Sequence, residues 1–306
     1  MNLPSDRFTG VLAAALTPQT VDLIPDEKLM YAHCRWLLAN GCDGLAILGT
    51  TGEANSFCLK ERIRVVEGLV EAGIAGEKLM PGTGSCSITD AVSLTRVALG
   101  VGARGVLMLP PFYYKNPSDD GLFAYYSEVI QRVGDTGLKI YLYHFPQMSA
   151  TPISYHLIEM LVTAYPDTVV GMKDSSGDLD NMLGAIKNFP DFCVLTGADE
   201  CLLPLMQQGG GGCITASANI ASVLTAEIYH GVLRGDDVRD ANDVLVSLRH
   251  EIGRFAGPSA LKAVLAHYTG NRDWLNLRPP LRNLSSTEEQ SLFASIDALG
   301  LQMPAI

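Results

Sequence analysis

The sequence predicts an α/β fold, a (β/α)8 TIM barrel with a C-terminal helical appendage. Three observations predict it. Eight short apolar runs recur along the first 216 residues with starts roughly 20 to 35 residues apart, the length of one βα unit. The segments between them carry helical periodicity. Three of those segments end in glycine and pass straight into the next apolar run, as Gly41-Cys42-Asp43-Gly44, Gly102-Ala103-Arg104-Gly105 and Gly209-Gly210-Gly211-Gly212 do. The runs are continuously apolar rather than alternating, so they suit strands buried on both faces of a parallel sheet. Eight units within about 235 residues fit a closed barrel better than an open doubly wound sheet. No GxGxxG follows the first run, which weighs against a dinucleotide fold.

Taken in order, the strands are expected at Val11–Leu16, Gly44–Leu48, Leu79–Thr83, Gly105–Leu109, Lys139–His144, Val169–Met172, Cys193–Thr196 and Cys213–Ala216. Met30, Cys34, Leu37 and Leu38 fall on one helical face, as do Leu59, Ile63, Val66 and Val70, and Ala91, Leu94, Ala98 and Val101. After Asn219 the pattern is wholly helical: Ser222–Leu233, Val238–Phe255, Ser259–Tyr268 and Thr287–Leu299. The first of these can close the barrel and the others exceed its needs. Residues 1–235 are therefore read as the barrel carrying the active site and 236–306 as the appendage.

The composition narrows the function. With 47% hydrophobic and 18% charged residues the chain can bury a sizeable core. Its formal net charge of −11, with no basic cluster, argues against nucleic acid or an anionic membrane as partner. Seven cysteines without a CxxC pair read as small buried hydrophobes in a reducing compartment. The six histidines form no metal-binding spacing, and neither a signal peptide nor a membrane-spanning run is visible. A cytoplasmic protein is expected.

In such a barrel the C-terminal strand ends and the loops after them build the active site. Val169-Val170-Gly171-Met172-Lys173-Asp174 places a lone lysine at the end of an apolar strand. A lysine there loses hydration, which penalises its charged form and favours an amine able to form a Schiff base. The plainer alternatives are a lysine snorkelling to water or paired with Asp174. Gly49-Thr50-Thr51-Gly52-Glu53 offers amides and hydroxyls at a helix start, either a seat for a carboxylate or an ordinary cap. Tyr143 can relay a proton or be a core tyrosine.

GTTGE at 49–53, the double-tyrosine loop Tyr113–Pro117, Tyr143-x-x-Pro146, Gly171-x-Lys173-Asp174 and the small-residue strand near 214 stand in the order seen in one family. On these motifs the chain resembles the dihydrodipicolinate synthase/N-acetylneuraminate lyase family over nearly its whole length. The resemblance implies that Lys173 forms a Schiff base with pyruvate or a 2-oxo acid, with Tyr143 as general acid/base. Thr50 and Thr51 would hold the keto-acid carboxylate, Thr50 also linking Tyr143 into a proton relay. Tyr114 would complete the relay of a neighbouring protomer, and the backbone of Ile214 would contact the keto acid. Glu53 is read as a structural member of its turn. No metal or organic cofactor is implied, and a homo-oligomer, usually a tetramer, is.

Two departures bear on the substrate. The synthases of the family carry an arginine two residues past the Tyr-x-x-Pro proline, which clamps the carboxylate of aspartate semialdehyde. Here Met148 stands there, and a thioether cannot replace a bidentate charged clamp. Met148 resembles the apolar residue of the sugar-acid lyases. The histidines of the lysine-regulated synthases align with Leu59 and Arg62, and a site asparagine with Cys86, so feedback by lysine is not expected. The expected activity is a class I pyruvate-dependent aldolase acting on a 2-keto-3-deoxy sugar acid or related hydroxy-2-oxo acid. Its rivals are condensation of pyruvate with aspartate semialdehyde, Schiff-base dehydration of a deoxy-keto sugar acid, and a non-catalytic 2-oxo acid binding protein.

Overall fold

Strands and helices alternate from the first apolar run onward in the computed structural model, which describes residues 3–301, 303 and 304. In chain order they are β1 (Gly10–Ala13), α1 (Glu27–Ala39), β2 (Gly44–Leu45), α2 (Leu59–Glu71), α3 (Ile88–Gly100), β3 (Val106–Met108), α4 (Asp119–Val133) and β4 (Ile140–His144). There follow α5 (Pro146–Ser149), α6 (Tyr155–Ala164), β5 (Val169–Asp174), α7 (Leu179–Asn188), β6 (Cys193–Thr196), α8 (Leu202–Gln207) and β7 (Gly212–Thr215). Four helices complete the chain: α9 (Ala218–Arg234), α10 (Arg239–Gly253), α11 (Gly257–Thr269) and α12 (Ser286–Ala298). This is the alternation predicted for a (β/α)8 fold, with seven strands among the described residues where eight were expected, followed by the C-terminal helices. Among the described residues no helix is long and apolar enough to cross a membrane.

Local chemistry sets the helix ends. Asp26, Ser87, Ser118, Ser154, Asp178 and Ser285 each accept a backbone N–H of the first turn. The three glycines expected to stop helices, Gly41, Gly102 and Gly209, all have positive φ.

One expected strand is nearly lost. Leu79–Thr83 forms a single parallel bridge, Gly82 to Leu107, with Thr83 N–H donating to Leu107 O and Leu107 N–H to Pro81 O. Pro81 has no N–H to extend the ladder, and Gly82 brings no side chain to pack. Two cysteines also depart from expectation. Cys34, Cys42, Cys193, Cys201 and Cys213 are buried, but Cys58 and Cys86 are exposed because they lie at the N-terminal edges of α2 and α3, outside the apolar periodicity.

The chain divides into two compact units. One comprises the segment ending at Gly10 together with Ala75–Ile214. Its strands lie parallel in the order β7-β6-β5-β4-β3. All six residues of β5 are buried, as continuous apolar patterning predicts. At the foot of these strands the Tyr141 ring occupies the space left by Gly105 and Gly171, where an added Cβ would come within 2.9 Å of it. Its hydroxyl accepts the Phe8 N–H at 2.5 Å.

The other unit is Val11–Ile74 with the residues from Thr215 onward. Leu12 and Ala13 pair in parallel with Gly44 and Leu45. Gly235 ends α9 in a left-handed cap, and beyond it Leu245, Leu248, Ile252, Leu261, Val264, Leu292 and Ile296 are buried. The helices after residue 235 thus share one unit with the segment that holds β1 and β2.

Candidate active site

Lys173 lies on β5 and Tyr143 is its register partner on β4. Register partners on neighbouring strands project to the same face. Here the Lys173 ammonium donates to the Tyr143 hydroxyl at 3.4 Å and lies 4.4 Å from the centre of its ring. Both residues are buried, Lys173 to 5% exposure and Tyr143 to 4%. The Phe145 ring stacks on that of Tyr143, with centroids 6.0 Å apart.

The plainer readings of Lys173 are settled by its surroundings. Burial excludes snorkelling. Asp174, one residue on, projects to the opposite face, and its carboxylate is already engaged. Oδ1 accepts from Ser176 N and Oγ at 2.8 and 2.6 Å, and Oδ2 accepts from Asn181 Nδ2 at 2.7 Å. Asp174 therefore shapes the turn after β5. His144, its register partner, accepts the Ile153 N–H at Nδ1. Burial pushes the His144 pKa down against the opposing pull of Asp174 and Asp178.

Space for the lysine is made by Gly197, just past β6. A Cβ there would lie 2.0 Å from Ser175 Oγ and 2.8 Å from Lys173 Cε. Ile214 is fully buried on β7. It stands two residues beyond Gly212, the partner of Leu195, which is itself the partner of Lys173. Ile214 thus shares the lysine's face two strands away. Met148 is 60% exposed on the short helix α5, whose neighbour Gln147 donates to Ser176 O at 2.7 Å. Tyr114 is 82% exposed in the loop after β3, its ring edge-on to Tyr113.

Thr50 and Thr51 belong to the other unit and are half-buried. The structure corrects their local setting. The expected helix start is only a three-residue 3-10 turn, Ala54–Ser56, and α2 begins at Leu59. Leu48 and Glu53, which flank the loop, both have positive φ, so the chain cannot run directly into an α-helix.

Sequence reading missed Gly197 as a shaping residue and passed over Lys262. Lys262 sits fully buried on α11 and pairs with Glu53 at 2.6 Å. The signal was present in Ala260-Leu261-Lys262-Ala263-Val264-Leu265, a lone lysine in an apolar run like the one that drew attention to Lys173. Glu53 accepts both from Lys262 and from Gln19, the structural part expected of it.

Comparison with known proteins agrees with this fold. Residues 7–299 match the dihydrodipicolinate synthetase family. An uncharacterized DapA-like lyase of Chloroflexus aurantiacus is 32% identical over 291 residues, covering 95% of this chain and 96% of that protein. A 4-hydroxy-tetrahydrodipicolinate synthase of Rhodospirillum centenum is 35% identical over 258 residues, 83% of this chain and 86% of that one. The crystal structure of dihydrodipicolinate synthase from Agrobacterium tumefaciens superposes with a TM-score of 0.89 at 34% identity, over 95% of this chain and 99% of that one. A lysine and a tyrosine paired on adjacent strands of a (β/α)8 fold, together with likeness along nearly the whole sequence, place the chain in the dihydrodipicolinate synthetase family of Schiff-base lyases.

Proposed function

We propose that this chain is a class I lyase that joins pyruvate to an aldehyde, or cleaves the product, and that it favours a 2-keto-3-deoxy sugar acid or a similar hydroxy-2-oxo acid. The pairing of Lys173 with Tyr143 carries this reading. The Lys173 amine adds to the keto carbon and water leaves, giving an iminium. Loss of a C3 proton, or rupture of the C3–C4 bond, delivers an electron pair that the iminium accepts. Tyr143 moves the proton to or from the aldehyde oxygen. Thr50 and Thr51 receive the carboxylate, the Ile214 backbone contacts the keto acid, and exposed Tyr114 serves a second copy in a homo-oligomer. In this reading residues 1–235 hold the chemistry, 236–306 support it, and the protein works in the cytoplasm without a cofactor.

Met148 supports the sugar-acid preference, since a thioether offers a second carboxylate no charge-assisted clamp. The names of relatives such as the Rhodospirillum centenum enzyme favour a second reading, condensation of pyruvate with aspartate semialdehyde. Intact-mass spectrometry after borohydride reduction with pyruvate tests the common chemistry. A reduced adduct on the wild type and none on Lys173→Ala is expected; a wild type that is folded yet unlabelled overturns the proposal. Rates with a panel of aldehydes then separate the two substrates, and a high kcat/KM for aspartate semialdehyde would sink the sugar-acid reading.

A further inference from the structure

Between Leu48 and Glu53 the chain makes a four-residue loop, Gly49-Thr50-Thr51-Gly52, and both flanking residues are left-handed, with φ of 54° and 56°. Left-handed backbone on residues that carry side chains persists only where the surroundings enforce it, and such enforcement clusters at ligand clamps. The surroundings here are specific. The Glu53 side chain is 1% exposed and that of Lys262 0%. Glu53 Oε1 accepts from Lys262 Nζ at 2.6 Å, and Oε2 accepts from Gln19 Nε2 at 2.9 Å. Lys262 also donates to Asn276 O at 3.2 Å, and Asn276 Nδ2 donates to Gln19 O at 2.9 Å. Four residues from four stretches of the sequence thus close one ring of hydrogen bonds behind the loop.

The loop itself is pressed onto its support. Thr17 Oγ1 donates to Gly52 O at 2.9 Å, and a Cβ on Gly52 would lie 2.9 Å from Ala15 O and 3.0 Å from Leu48 N. A buried ion pair is a poor source of stability, because desolvating two charges offsets most of their attraction. What this pair does secure is the conformation of Glu53. We propose that the Lys262–Glu53 ion pair is a positioning device that holds the Thr50–Thr51 loop in shape to receive a carboxylate, so that a helix beyond residue 235 sets the affinity for the keto acid. The inference rests on the proposed role of Thr50 and Thr51.

Its test compares two carbonyl compounds of similar size, pyruvate and acetone, which lacks the carboxylate. For each, the concentration giving half-maximal borohydride labelling of Lys173 is read by peptide mass. The variants are Glu53→Gln, a neutral isostere, and Glu53→Gln/Lys262→Met, which removes both buried charges and keeps an acceptor for Gln19. With either variant the half-saturating pyruvate concentration should rise by about tenfold, the scale of one net hydrogen bond. The acetone value should stay at that of the wild type. Equal shifts for both compounds, or none for pyruvate in a folded variant, would overturn the inference while leaving the Schiff-base reading intact. Unfolding of both variants would also overturn it, by reducing the pair to a stability element. A wild type that pyruvate fails to label at Lys173 would remove the underlying reading first, and this inference with it.

Discussion

The Lys173 ammonium stands 3.4 Å from the Tyr143 hydroxyl and 4.4 Å from the centre of the same ring, so one side chain offers it both an acceptor and a π face. Parallel register alone produces this meeting, because partners on adjacent strands project to one face about 5 Å apart. The two contacts have separate consequences. The ring helps hold the lysine in place, whereas only the hydroxyl can carry a proton.

Tyr143→Phe separates them. It should still form the reduced pyruvate adduct at Lys173, while kcat for carbon–carbon bond formation or cleavage falls by about 100-fold or more. Steady-state rates beside adduct mass make the comparison. Turnover near that of the wild type would exclude Tyr143 from proton transfer.

Gly197→Ala tests the space around the lysine. The new methyl would meet Ser175 Oγ at 2.0 Å and Lys173 Cε at 2.8 Å, so one of them must move. Overpacking of this kind costs about 1–3 kcal/mol. Chemical denaturation should show that loss, and borohydride labelling of Lys173 should slow in protein that remains folded. Labelling at the wild-type rate would mean that Ser175 alone gives way.

A buried histidine should make stability depend on pH. Burial takes His33 from 6.5 down to about 4, although its Nε2 hydrogen bond to Asn219 Oδ1 opposes the shift. Asn219 Oδ1 also accepts from Leu16 N, so the His33 Nε2 must be the donor. The unfolded chain protonates this ring at a higher pH than the folded protein does. Its contribution to stability is therefore complete above pH 6.5 and is lost as pH falls from 6.5 toward 4. The loss amounts to about 3 kcal/mol by the lower limit. Urea unfolding across that interval should show a flatter dependence for His33→Gln, whose amide keeps a donor but does not titrate. Equal slopes for the two proteins would count against this assignment.

Met148→Arg bears on the substrate. A guanidinium at this position restores a charged partner for a second carboxylate, worth about 10- to 100-fold in kcat/KM for aspartate semialdehyde relative to a neutral sugar aldehyde. Competition between the two aldehydes reads the ratio directly. An unchanged ratio would mean that this position does not choose the substrate.

Much of this was legible in the sequence. The apolar run ending in Lys173, the C′ glycines at 41, 102 and 209, and helices α9 to α12 all follow from local pattern, and the structure places them within a few residues of expectation. The third strand was not, because Leu79–Thr83 is apolar enough for a strand while Pro81 removes a donor that the ladder needs. The loop at Thr50 and Thr51 read as a helix start because glycine, threonine and glutamate favour caps. The positive φ of Leu48 and Glu53 forbids it, and Glu53 is engaged by Lys262, 209 positions away.

The sequence by itself determined the fold class and the order of the elements, and it singled out the residues on which the proposed chemistry rests. Those depend on periodicity, capping and motif order, which are properties of neighbours along the chain. Only the tertiary structure decided that Lys173 faces Tyr143 rather than Asp174, that Gly197 leaves room for it, and that Lys262 from a late helix closes on Glu53. Strand register and burial fix those pairings. They join residues 24 to 209 positions apart, a separation at which local pattern carries no information.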